Sequence, residues 1–111
     1  AGYEGYLNER TIAFSELLQD KGYRNYYVGK WHLGANKIAN PNARGFDQAW
    51  WQVRGSPNTH FDLSASPNRP NYFENDQPQK ITPDSFFSTN FYTNQFINYL
   101  EKDKGRERLA L

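Results

Sequence analysis

Cysteine and methionine are both missing from these 111 residues. Without cysteine there is no disulfide scaffold, no thiolate metal site and no cysteine nucleophile in this chain. A charge of one sign is missing too, since 13 Lys+Arg stand against 12 Asp+Glu for a net +1. That balance supplies no field for nucleic acid or for an anionic lipid surface. No stretch approaches the ~20 apolar residues of a membrane span. Apolar residues are scarce overall, at 37% of the chain. Aromatic residues are plentiful, with 8 Tyr, 8 Phe and 3 Trp, and this argues against plain disorder. The length allows one domain at most, burying roughly two-thirds of the surface of its unfolded form. A first residue other than Met, and an abrupt Leu109-Ala110-Leu111 end, predict that residues 1–111 are one internal segment of a longer protein.

Three zones follow one another. In the first, Asn8 is a plausible N-cap and Glu9 an acid in the first turn. A helix is expected from about Glu9 to Lys21, with Ala13, Phe14, Leu17 and Leu18 as its apolar stripe. Gly22 stops it. The run from Tyr23 to Gly29 has strong strand propensity. A helix running into a short strand is the half-unit of an α/β sheet. The middle zone, about Leu33 to Phe87, shows no convincing periodicity and is broken by six prolines. It is expected to be a long irregular loop that serves a function or lacks partner surface. The last zone predicts a helix from Ser88 or Thr89, either an acceptable cap, to about Lys102. Tyr92, Phe96, Tyr99 and Leu100 share one of its faces. Arg106 to Leu111 reads as the opening of another strand.

The sharpest local feature is Gly29-Lys30-Trp31-His32-Leu33-Gly34, where the strand gives way to a loop. Ligands of open α/β sheets bind at the carboxyl ends of strands. Lys30 and His32 are two apart, so in extended backbone they project to one side while Trp31 points into packing. The flanking glycines let a ligand come close. Lysine offers a point charge with three donors, and histidine can move a proton near neutral pH. Together they suit a compact anion. The plainer alternative is a surface lysine and a capping histidine joined by chance.

The segment from Gly22 to Gly34 resembles a signature of the sulfatase family: Gly-Tyr, a short strand, then Gly-Lys-Trp-His. Thr11 to Leu18 is similar to the helix that precedes it in that family, and Arg44-Gly45-Phe46-Asp47 to the turn that follows it. Gly2 to Asn8 and Phe91 to Phe96 resemble bacterial arylsulfatases. The likeness runs through nearly the whole chain and is weakest from about Pro57 to Pro83.

This resemblance implies an α/β fold, as part of an alkaline-phosphatase-like sandwich with at least two helices and a short central strand. It implies a sulfuric ester hydrolase that acts through a formylglycine nucleophile, with calcium held by Asp and Asn oxygens. Lys30 would bind the sulfate oxygens and His32 would act as the base in sulfate release. The formylglycine precursor and the calcium ligands are expected outside this segment, so no metal ligand is assigned here. The substrate would be a small-molecule or sugar sulfate ester, and the remaining partner the rest of the sulfatase domain. On these grounds the segment alone is expected to be inactive. His60, in Thr59-His60-Phe61-Asp62, is a candidate substrate-binding residue, although a loop histidine hydrogen-bonded to backbone is the plainer reading. Arg54 and Ser56 could line the same pocket. Asp47 and Asp62 read as turn or cap residues. The alternative function is a non-catalytic carbohydrate-binding or interaction module, with Trp50, Trp51 and Tyr72 as an exposed aromatic platform on an all-β fold.

Overall fold

The computed structural model describes residues 5–53, 71–81, 86–105 and 109–110. In chain order its elements are α1 (Phe14–Asp20), β1 (Arg24–Lys30), a single 3-10 turn (Asn42–Arg44), β2 (Gln48–Gln52), β3 (Tyr72–Glu74), β4 (Gln77–Gln79), α2 (Ser88–Lys102) and β5 (Leu109–Ala110). The strands form one mixed sheet in the order β4-β3-β2-β1-β5. β1 runs parallel to both its neighbours, β2 and β5. β3 and β4 are antiparallel additions at one edge. The α/β class read from the sequence is the architecture found.

Period-two alternation sorts the aromatic residues onto two faces. On one face Tyr26, Trp50, Tyr72, Phe86 and Tyr99 form a buried cluster, with Val28 and the Phe91, Tyr92, Phe96 and Leu100 side chains of α2 packed against it. On the other, Trp31, Ala49 and Trp51 are buried together under Tyr27, Phe46 and Phe73. β1 and β2 are thus covered on both sides, as parallel strands require. Trp50, Trp51 and Tyr72 are only 5%, 1% and 1% exposed. They are core residues, which removes the exposed aromatic platform and the all-β fold of the carbohydrate-module reading.

The helices differ from expectation in instructive ways. α2 has the expected span, but its N-cap is Phe87 and no side chain caps it. Ser88 and Thr89 therefore lie inside the helix. α1 starts at Phe14 instead of Glu9. Asn8 Oδ1 accepts from the Arg10 N–H at 3.0 Å and the Thr11 hydroxyl at 3.3 Å, closing a separate local turn. Glu16 Oε2 then reaches back to the Ala13 N–H at 2.7 Å and satisfies one orphan donor of the shorter helix. The expected apolar stripe of α1 is also corrected, because Phe14 and Leu17 are exposed, as is Ile12 beside them. α1 docks instead through Ser15, whose hydroxyl donates to the Arg44 carbonyl at 2.5 Å.

The middle zone is more ordered than its sequence suggests, since it supplies β2, β3, β4 and the 3-10 turn. Asn75 holds the β3–β4 hairpin onto β2. Its N–H donates to the Ala49 carbonyl at 2.7 Å, and its Oδ1 accepts from the Ala49 N–H and the Asn42 amide, each at 3.0 Å. Among the described residues no helix is long and apolar enough to cross a membrane.

Candidate functional site

β1 delivers Lys30 to the carboxyl edge of the sheet, opposite Gln52 at the end of β2. The next residue, Trp31, is 6% exposed and held from several sides. Its backbone N–H donates to the Gln52 carbonyl at 2.9 Å. Its indole N–H is shared between the Gly34 carbonyl at 2.9 Å and the Ala39 carbonyl at 2.8 Å. Its ring meets Tyr27 and Phe46 edge-on, at 5.1 and 6.0 Å between centroids. Gly34 can close this loop only as glycine. Its φ is +113°, and a Cβ there would fall 2.6 Å from Tyr6 Cβ and 2.7 Å from Ala39 Cβ.

Around this fixed indole, Lys30 and His32 are both exposed. Among the described residues neither side chain has a hydrogen-bond or ion-pair partner. Along the chain Lys30, Trp31 and His32 run exposed, buried, exposed. A cavity of about 220 Å³ beside it is lined by Gly5, Trp31, His32, Gly34, Ala35 and Val53. Lys30 does not line it, so the structure brings His32, and not the lysine, to this cavity. His60 lies outside the described residues, as do Arg54, Ser56 and Asp62. Among the described residues no group of three or more His, Asp or Glu could hold a metal ion.

A polar clamp holds the start of β1, at the opposite end of the strand from Lys30. Arg44 pairs with Glu16 at 3.0 Å and also donates to the Thr11 carbonyl. Asn25, 2% exposed in β1, donates both amide hydrogens, to the Ser15 and Gly45 carbonyls, at 2.8 Å each. Asp47 accepts the Asn25 N–H at 2.8 Å and returns its own N–H to the Asn25 carbonyl at 2.8 Å. The Arg44-Gly45-Phe46-Asp47 turn therefore ties α1 to β1 and feeds β2, and Asp47 is a structural acceptor, in line with its turn reading. At the same end of β1, Asp103 takes Arg24 at 3.2 Å and the Tyr26 phenol, which fixes α2 to the strand. Burial and the Asp103 carboxylate push the Tyr26 phenol above its ordinary pKa. Reading the sequence passed over Asn25, whose one signal was a lone amide inside an aromatic strand.

A family model described as Sulfatase matches residues 3–110. Among curated proteins, the chain is 32% identical over 104 residues to an arylsulfatase of Klebsiella aerogenes, covering 90% of this chain and 22% of that protein. It is 35% identical over 103 residues to the N-acetylgalactosamine-6-sulfatase of Mus musculus, covering 83% and 19%. An uncharacterised sulfatase of Schizosaccharomyces pombe matches at 34% over 116 residues, covering 96% and 20%. The chain thus spans about a fifth of the length of these relatives. The solved structure of Ps i-CgsB in complex with k-i-k-neocarrahexaose superposes with a TM-score of 0.76 at 20% identity. That superposition covers 97% of this chain and 27% of the other, and it speaks to the fold.

Proposed function

The chain belongs to the sulfatase family, and on that premise we propose that it forms one part of a catalytic domain that hydrolyses sulfate esters. The observation that carries this reading is the placement of Lys30 and His32. Both are exposed and unpaired at the carboxyl end of β1, on either side of a tryptophan fixed by two indole bonds and one backbone hydrogen bond. The Lys30 ammonium neutralises charge that develops on the sulfate oxygens. The His32 imidazole takes up the proton whose departure lets sulfate leave. A formylglycine hydrate contributed from outside these residues would supply the nucleophilic oxygen. Any calcium of the complete enzyme would have its ligands outside the described residues. The substrate is an aryl or sugar sulfate, the two kinds of chemistry named by the bacterial and mouse relatives.

Because it holds only this share of the machinery, the 111-residue chain alone turns over no aryl sulfate when calcium is added. In the complete enzyme, Lys30→Ala lowers kcat/KM by roughly 10²–10³-fold, the loss typical of one transition-state charge stabiliser. His32→Ala lowers it by roughly 10²–10⁴-fold, as for a general base. Variants that keep parental sulfate release would falsify the assignment.

A further inference from the structure

Tyr27 stands outside the residues that carry the chemistry, yet its side chain reaches them. In a straight strand, residues three apart are separated by ~10 Å and face opposite sides. Here the Tyr27 phenol donates to the Lys30 carbonyl. Between them Gly29 stays in register with Trp51, but its φ of +136° departs from regular strand backbone. A Cβ at that position would meet nothing within 4 Å, so glycine is needed there for its conformation and not for space. The Tyr27 ring is itself fixed, edge-on to Trp31 at 5.1 Å and to Phe46 at 5.3 Å. Burial pushes its phenol pKa up, which keeps it a protonated donor through neutral and mildly alkaline pH.

We infer that Tyr27 is a positioning residue for Lys30: its hydroxyl holds the Lys30 carbonyl and so fixes the direction in which the ammonium leaves the chain. The inference rests on the catalytic reading of Lys30 proposed above. Phenol, carbonyl and the positive-φ glycine between them act as one brace. Without the phenol the peptide plane after Lys30 is held from one side only, by the Trp31 N–H on the Gln52 carbonyl; it can then tilt, and an ammonium displaced by even an ångström loses most of its preorganised effect.

The test is a double-mutant cycle in the complete sulfatase, using Tyr27→Phe and Lys30→Ala with an aryl sulfate as substrate. Tyr27→Phe keeps the ring and removes only the donor. It lowers kcat/KM by roughly tenfold with little change in melting temperature, and by less than about twofold when Lys30 is already alanine. Gly29→Ala is the second arm: it leaves the ring alone, strains the positive-φ backbone and shows the same dependence on Lys30. If Lys30→Ala lowers kcat/KM as proposed while Tyr27→Phe is silent, or costs the same factor in both backgrounds, the brace is refuted and the catalytic reading stands. If Lys30→Ala is itself harmless, the catalytic reading fails and the brace falls with it.

Discussion

Gly45→Ala is the substitution whose effect the structure specifies most sharply. Gly45 has φ +90°, and a Cβ there would sit 2.5 Å from Glu16 N, 2.6 Å from Ser15 C and 2.7 Å from Glu16 Cα. All three are backbone atoms of α1, so no side chain can swing aside. A left-handed conformation costs an L-residue about 1–2 kcal/mol. Relieving the overlap by shifting packed backbone costs about 1–3 kcal/mol more. The shift also loosens the Asn25 amide bonds to Ser15 and Gly45, each 2.8 Å long and each worth about 1 kcal/mol. The total is about 3–7 kcal/mol, a large share of the stability of any small domain. At about 4–8 °C per kcal/mol, the melting midpoint falls by something on the order of 15–30 °C. Thermal melting followed by circular dichroism reads this directly. Gly29→Ala is the control, because it shares the positive φ but meets nothing within 4 Å. Its cost is conformational alone, about 1–3 kcal/mol. If Gly45→Ala lowers the midpoint no further than Gly29→Ala does, the close approach of the turn to α1 is wrong.

Two further outcomes follow from the tyrosines and their partners. Asp103→Ala takes the acceptor from the Tyr26 phenol and leaves the Arg24 guanidinium with only its longer pairing to Asp47, at 3.9 Å. Arg24 is 31% exposed, so the loss falls below that of a fully buried pair, at about 2–3 kcal/mol in urea unfolding. Asp103→Asn, which keeps an acceptor, loses less. Tyr26, Tyr27 and Tyr99 all have phenols raised above the ordinary value of 10.0, chiefly by burial. The unfolded chain therefore gives up these protons first. The stability they contribute is intact below pH ~10 and drains away as pH climbs toward the folded-state values. Melting midpoints measured across that range fall, and they fall less steeply in Tyr99→Phe.

Legibility in the sequence followed how local the determinants are. α2 could be read because one helical face carries Tyr92, Phe96, Tyr99 and Leu100 and that face is the one buried. β1 could be read because aromatic and branched residues sit between two glycines. α1 was half legible. The Asn8 side chain spends itself on its own turn, and Ser15, not Phe14 or Leu17, makes the contact with the rest of the fold. β2 to β4 escaped notice for a different reason. They are five, three and three residues long, and β2 is buried on both faces, so it shows no alternation. Their register is set by Asn75, through bonds to residues 26 and 33 positions away. In the site, the burial of Trp31 between two exposed residues could be read from the sequence. The brace from Tyr27 could not, because it joins a side chain to a main-chain carbonyl three residues on, across a positive-φ glycine, and no pattern of side chains announces that.

Sulfate added to the complete, nitrogen-15-labelled protein, with the side-chain signals of Lys30 and His32 followed by magnetic resonance, probes most directly whether ammonium and imidazole serve a single tetrahedral anion. Both signals should move together along one binding curve, and Lys30→Ala should abolish the response at His32. Signals that stay still, or that titrate with separate affinities, would mean that the two groups do not share a site.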